Sequence, residues 1–336
     1  MGSSTTSHGA QSADSGAATD SSVKASPKVA TRDAYGKALA ALGSQRTDII
    51  VLDADLSGST KTNVFAKQFP ERFLNMGVSE ANMIGVASGL ASTGLTVFCS
   101  SFAMFASGKT YEQIRQEIAL PVANVKICAT HAGLTVGEDG ASHQMLEDLA
   151  LMRVLPNMTV IAPADGRETE QAIAAVAAMK GPCYVRLSRM KTPEFLPADS
   201  RFQIGKATLL RQGDAVTLIG TGVTTWYALQ AAGILAREGI EARVLNMATI
   251  KPLDLDALRA AAAETAGIVT VEEHQRAGGL GGAVAEAVTE NRPCPVTRLG
   301  MRDRFGESGD GEQLLQHFGL TEAGIAQAAR ELLART

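Results

Sequence analysis

One carboxylate stands out by its setting. In Asn75–Ala91, NMGVSEANMIGVASGLA, Glu80 is the single acid in a run of apolar and small residues. It opens a helix: Ser79 is placed to cap it, and Met83, Ile84, Ala87, Leu90 and Ala91 recur at helical spacing along one face. Such an acid has two readings. It can satisfy the positive end of the helix dipole, or it can handle protons at a site. Spacing leaves both open. Gly85 and Gly89 lie inside the same helix, where each costs about 1 kcal/mol against Ala. They predict something packed close to the backbone.

The loop Thr130–Gln144, THAGLTVGEDGASHQ, is a second concentration of chemistry. It holds two of the five histidines, His131 and His143, around the GEDG at 137–140. Histidine and Asp139 together can bond hydroxyls and move protons. Gly133, Gly137 and Gly140 allow the backbone to approach a ligand. A loop this polar inside a compact domain is usually functional. A metal site is the lesser reading, because no histidine pair has i, i+4 or finger-like spacing. Phe102 and Phe105, spaced i, i+3, read either as core or as walls for a planar ring. GGLGG at 278–282 has the composition of a phosphate cradle without a dinucleotide fingerprint. His274 beside it reads as structural or interfacial. Gly-Asp-Gly at 309–311 has no companion Asn at the spacing of a metal–diphosphate motif.

These residues need a scaffold, and the chain is long enough for two domains at 336 residues. Residues 1–27 are Ser, Ala, Gly and Thr with almost no large apolar side chain, and read as a disordered tail containing His8. From there helices alternate with short apolar strands. Strands are expected at Asp48–Leu52, Leu95–Cys99, Asn124–Ala129, Thr159–Ala162 and Cys183–Leu187, with helices at Ala34–Leu42, from Glu80, from about Lys109, at Leu146–Arg153 and at Glu168–Met179. A Pro-bearing linker over 191–202 leads to a second, smaller unit. There the strands are Ala215–Gly220, Glu241–Asn246, Ile268–Glu272 and Val296–Leu299. The helices are Thr224–Glu238, Asp254–Glu264, Leu280–Glu290 and one from Thr321. The alternation implies α/β architecture, two doubly wound domains with mostly parallel sheet. Asp55, Ser59, Phe102, Phe105, His131 and Arg189 all follow strand ends, so they should converge on one sheet edge. Net charge −4 does not recommend nucleic acid or an anionic membrane as a partner. No apolar run reaches spanning length. Cys99, Cys128, Cys183 and Cys294 are scattered and read as reduced thiols of a cytoplasmic protein.

The blocks FLNMGVSEANMIGVASGLA, SFAMFASGKTYEQIR, ATHAGLTVGEDGASHQMLEDLALMRVLPNMTVIAPADGRE, VRLSR and RDRFGESG, in this order, resemble the transketolase family. The resemblance covers nearly everything after the tail. It implies a thiamine diphosphate pyrimidine-binding domain over 28–190 and a transketolase C-terminal domain over 203–336. In that family the glutamate matching Glu80 bonds a ring nitrogen of the aminopyrimidine and favours the tautomer that deprotonates the thiazolium carbon. A carboxyl among apolar neighbours suits sharing that proton. Phe105 matches the aromatic stacked on the pyrimidine and Phe102 its neighbour, while Gly108 stands where the family has a third aromatic. Asp55 and Leu56 match cofactor contacts. His143 matches the histidine that handles sugar protons, and Asp139 the aspartate that recognises the aldose 2-hydroxyl. Arg32, Ser59, His131 and Arg189 match the substrate-phosphate set, in which paired guanidiniums make chemical sense. Ala132 replaces a common family aspartate.

The resemblance lacks the family's diphosphate- and Mg²⁺-binding half, and no residue here supplies metal ligands. This implies the C-terminal subunit of a split transketolase, moving a two-carbon ketol unit from a ketose phosphate to an aldose acceptor. A partner N-terminal subunit would hold Mg²⁺ and the diphosphate, around a homodimer core in a heterotetramer. Alternatives are a deoxyxylulose-phosphate synthase-like enzyme, the beta subunit of a 2-oxoacid dehydrogenase decarboxylase (towards which Glu272–Gly282 leans), or an inactive scaffold paralogue.

Overall fold

The computed structural model describes residues 26–336. The expected tail over 1–27, with His8, lies outside them except for its last two residues. Two main sheets organise the described residues. The larger has seven strands in the order Phe73–Asn75, Ile49–Asp53, Thr96–Ser100, Val125–Ala129, Cys183–Arg186, Thr159–Ile161 and Thr249–Lys251. All neighbours are parallel except the last pair. Thr96–Ser100, Val125–Ala129 and Cys183–Arg186 are buried at every position, as a sheet covered on both faces requires. The smaller sheet has five strands: Thr208–Arg211, Ala242–Asn246, Val216–Gly220, Ile268–Gln275 and Val296–Met301, with only the first antiparallel. The expected α/β architecture with mostly parallel sheets is therefore present in both units.

The units are more interlocked than the sequence pattern implies. Thr249–Lys251 follows the strands of the second unit yet pairs with Thr159–Ile161 of the first sheet. Lys191–Pro193, inside the expected linker, forms an antiparallel ladder with Lys28–Ala30. A buried polar hub also joins them. Arg186 Nε donates to Asp148 Oδ2 at 2.9 Å, and Tyr184 Oη donates to the same oxygen at 2.8 Å. From the second unit, Glu273 Oε1 accepts from Arg186 Nη1 at 3.4 Å, and Glu273 Oε2 accepts from the Thr135 amide at 2.9 Å. Burial opposes the Arg186 charge, but the two carboxylates outweigh it and hold its pKa above the usual value.

Several local details differ from expectation. The acid-bearing helix spans Glu80–Ser92, but Ser79, at its N-cap, makes no capping side-chain bond, and its ψ is 68°. Gly85 does mark a close approach: a Cβ there would lie 3.1 Å from Glu117 Oε2, while one at Gly89 would meet open space. Ser88 Oγ adds a bond to the Glu117 carbonyl at 2.6 Å. The segment after Phe102 is wound as π turns over Met104–Lys109 and Ile114–Ala119, a form common at functional sites. Ser57–Thr60, Asn63–Gln68 and Phe73–Asn75 are ordered elements too short to show a period.

Candidate active site

Four neighbouring parallel strands end on one edge of the larger sheet: Ile49–Asp53, Thr96–Ser100, Val125–Ala129 and Cys183–Arg186. Asp55, Phe102, His131 and Arg189 follow these ends. Parallel pairing puts carboxyl ends side by side, so the loops after them share one rim.

Asp53 anchors the first loop. Its buried carboxylate accepts from the Leu56 amide at 2.6 Å, Thr60 Oγ1 at 2.6 Å and Thr62 Oγ1 at 2.8 Å. Burial outweighs these donors and raises its pKa. The anchoring fixes the turn that carries Asp55, Leu56 and Ser59. Asp55 itself is exposed, has φ of 64°, and accepts from Asn75 Nδ2 at 2.9 Å.

Phe102, Phe105, His131 and His143 form a ring cluster. Phe102 stacks on His131 with centroids 3.8 Å apart and on Phe105 at 6.2 Å. The His143 ring stands edge-on to Phe105 at 5.5 Å, and its Nδ1 shares a hydrogen bond with Ser142 Oγ at 2.9 Å. His131 is 3% exposed. Burial first, then the positive charges of Arg32 and Arg189, push its pKa down to about 3, so the ring is neutral.

Two arginines adjoin this cluster. Thr31 Oγ1 accepts from the Ser188 amide at 2.7 Å, which brings Arg32 beside Arg189. Arg32 Nη1 donates to the Ser59 carbonyl at 3.1 Å and to His131 Nε2 at 2.9 Å. Its Nε is buried without a partner among the described residues. Arg189 pairs with Glu138 at 3.2 Å and Asp139 at 3.3 Å, and donates to the Val136 carbonyl at 3.0 Å. Asp139 therefore faces an arginine here. The loop that carries it is seated on the second unit: Gln144 Nε2 donates to the Glu307 carbonyl at 2.9 Å.

Glu80 is 3% exposed on the helix that packs against the segment carrying Phe105, and Lys109 Nζ donates to its Oε2 at 2.6 Å. Lys109 was not singled out by sequence. Its one signal is that it is the sole cation in SFAMFASGKTY. Lys61, whose charge acts on His131, also borders the site without a sequence signal of its own.

Three motifs find structural roles. The helix Leu280–Asn291, opened by GGLGG, is capped by Glu272, which accepts from the Leu280 and Gly281 amides at 2.7 and 2.8 Å. A phosphate has no room at that N-terminus. His274 is buried beside Glu272. Asp310 caps Gly311–His317 by accepting from the Glu312 and Gln313 amides. Among the described residues, no group of three His, Cys, Asp or Glu is placed to hold a metal ion. No helix among them is long and apolar enough to cross a membrane.

Residues 27–194 match the transketolase pyrimidine-binding domain and residues 205–325 the transketolase C-terminal domain. A protein of Methanocaldococcus jannaschii named as a transketolase C-terminal section is 50% identical over 303 residues, covering 89% of this chain and 95% of that one. The 6-deoxy-6-sulfo-D-fructose transketolase subunit SqwH of Clostridium sp. is 41% identical, covering 90% and 94%. Human transketolase is 42% identical over 94% of this chain, which spans 51% of that longer protein. Among solved structures, a split-gene transketolase described as an inactive beta4 tetramer superposes with a TM-score of 0.84 at 49% identity, covering 92% of this chain and 99% of that one. This chain, through both of its α/β units, belongs to the transketolase family.

Proposed function

We propose that the chain is the C-terminal subunit of a split thiamine diphosphate-dependent transketolase, acting on a ketose phosphate donor and an aldose or aldose phosphate acceptor. The observation that carries this is Glu80, a carboxylate 3% exposed on the helix bordering the ring cluster. The Phe102–Phe105 pair, with rings inclined by only 15°, suits one face of an aminopyrimidine. Glu80 is the group that would share a proton with its ring nitrogen. Bound thiamine diphosphate supplies the nucleophilic carbon that carries the two-carbon unit. Asp55 and Leu56 would border the cofactor.

The remaining roles belong to this chain's polar rim. Arg32, Ser59, His131 and Arg189 would hold the substrate phosphate. His131 then serves as a neutral ring that fixes Arg32. On binding, phosphate competes with Glu138 and Asp139 for Arg189. This releases Asp139 to meet a sugar hydroxyl near His143, which exchanges the hydroxyl proton. Mg²⁺ and the diphosphate would be held by a separate N-terminal subunit around a homodimer core of this chain, in a heterotetramer. Four free cysteines among the described residues suit a reducing, cytoplasmic setting. Glu272–Gly282 no longer favours a dehydrogenase beta subunit, since it caps a helix and braces the two units.

The test is to combine the chain with thiamine diphosphate, Mg²⁺, a ketose phosphate and an aldose phosphate, with and without its N-terminal partner. Turnover is expected only with both subunits, and Glu80→Gln should lower it by roughly a hundredfold or more. Robust turnover by the isolated chain would overturn the reading.

A further inference from the structure

We infer that the free edge of the smaller sheet carries a second anion site, built for a small phosphate-bearing molecule and separate from the rim at Arg32 and Arg189. Among the described residues, Val296–Met301 is the edge strand of that sheet. A groove of about 460 Å³ runs along it, closed on the other side by Phe318–Leu320 and the helix Glu322–Leu333. Arg276, Arg298, Arg302 and Arg335 line this groove, and Glu331 is its one acid. Among the described residues, none of the four arginines forms an ion pair. Glu331 is itself engaged, accepting from Gln327 Nε2 at 3.0 Å.

Two of the guanidinium groups are held in place. Arg298 Nη1 donates to the Arg276 carbonyl at 3.1 Å. Arg335 donates to Thr297 Oγ1 at 2.9 Å and to the Glu331 carbonyl at 3.0 Å. The stems of Arg276 and Arg298 rest on glycines: a Cβ at Gly300 would lie 3.2 Å from Arg276 Cγ, and one at Gly281 would lie 3.0 Å from Arg298 Cγ. Every anchoring acceptor is neutral, so Arg298 and Arg335 are aimed without being neutralised. Guanidiniums in that state suit phosphate oxygens, which they grip in pairs, and their positioning lowers the ordering cost of binding. The groove has the size of a small-molecule site. A net charge of −4 on the whole chain disfavours a polyanionic polymer as the occupant.

The inference does not rest on the transketolase reading, and its test uses inorganic pyrophosphate as the probe. Binding to the full chain is measured by calorimetry at low ionic strength in an Arg32→Gln/Arg189→Gln background, which removes the other arginine pair. Pyrophosphate is expected to bind this background with salt-sensitive affinity. Adding Arg276→Gln/Arg298→Gln should weaken it about tenfold or more. Circular dichroism checks folding, and Arg302→Gln/Arg335→Gln, at exposed positions, replaces the first pair if that pair unfolds the chain. No binding to the background, or binding that survives both groove pairs, overturns the site.

Discussion

Arg32 Nη1 lies 2.9 Å from His131 Nε2, and a guanidinium nitrogen can only donate. The histidine must therefore offer a lone pair at Nε2 and carry its proton at Nδ1, donated to Thr130 Oγ1 at 2.9 Å. With a folded pKa of about 3, the ring should stay neutral and in this tautomer from pH 5 to 8. The sign for stability follows from the depressed value. Below its ordinary pKa of about 6.5 the unfolded chain takes up a proton that the folded chain refuses. Stability from His131 is thus complete above that pH and drains away as pH falls towards 3. Imidazole ¹⁵N shifts report the tautomer directly, and a ring titrating near pH 6.5 would contradict the assignment.

Lys109 and Glu80 form an unequal pair, with the ammonium 54% exposed and the carboxylate 3%. Solvent screens such a contact, so the coupling should be only about 1 kcal/mol. A double-mutant cycle with Lys109→Met and Glu80→Gln, read by urea unfolding of the isolated chain, measures it. Lys109→Arg should retain most of the stability. Zero coupling would mean that the buried acid does not use this cation.

Arg186 answers two buried carboxylates, Asp148 and Glu273, and is itself 5% exposed in its side chain. Arg186→Met should destabilise by about 3–5 kcal/mol, because it leaves those acids buried without a partner. Adding Asp148→Asn and Glu273→Gln should recover part of the loss. Urea midpoints test both steps, and a loss below about 1 kcal/mol would show the hub to be expendable.

The parallel strands at the centre of both sheets and the longer helices were legible because apolar runs and helical spacing survive in the sequence, while short strands such as Phe73–Asn75, Lys191–Pro193, Thr208–Arg211 and Thr249–Lys251 carried no such signal. Phe102, Phe105 and His131 could be placed on one rim for a related reason: each follows the end of a strand in a parallel series. What stayed hidden was long-range charge pairing. Ile268–Gln275 runs three residues beyond its expected end at Glu272, since two buried acids and a histidine interrupt the apolar signal. Their partners sit across the fold: Arg186 is 87 residues from Glu273 in the chain. Lys109 is likewise 29 residues from Glu80. The pairing of Asp139 with Arg189 had no local signature either.

Two glycines separate packing from propensity. Gly133 has φ of +83°, and a Cβ there would lie 2.2 Å from Glu273 Cδ. Gly133→Ala must strain the backbone and push Glu273 away from the Thr135 amide, which frees the loop that carries Asp139. A loss of about 2–4 kcal/mol is expected, with greater exposure of that loop to protease. Gly89 lies in the helix Glu80–Ser92, and a Cβ there meets nothing within 4 Å. Gly89→Ala should instead stabilise the isolated chain by about 0.5–1 kcal/mol through helix propensity alone. Thermal unfolding of the two variants beside wild type decides the matter. A destabilising Gly89→Ala would mean that another surface already covers that helix face.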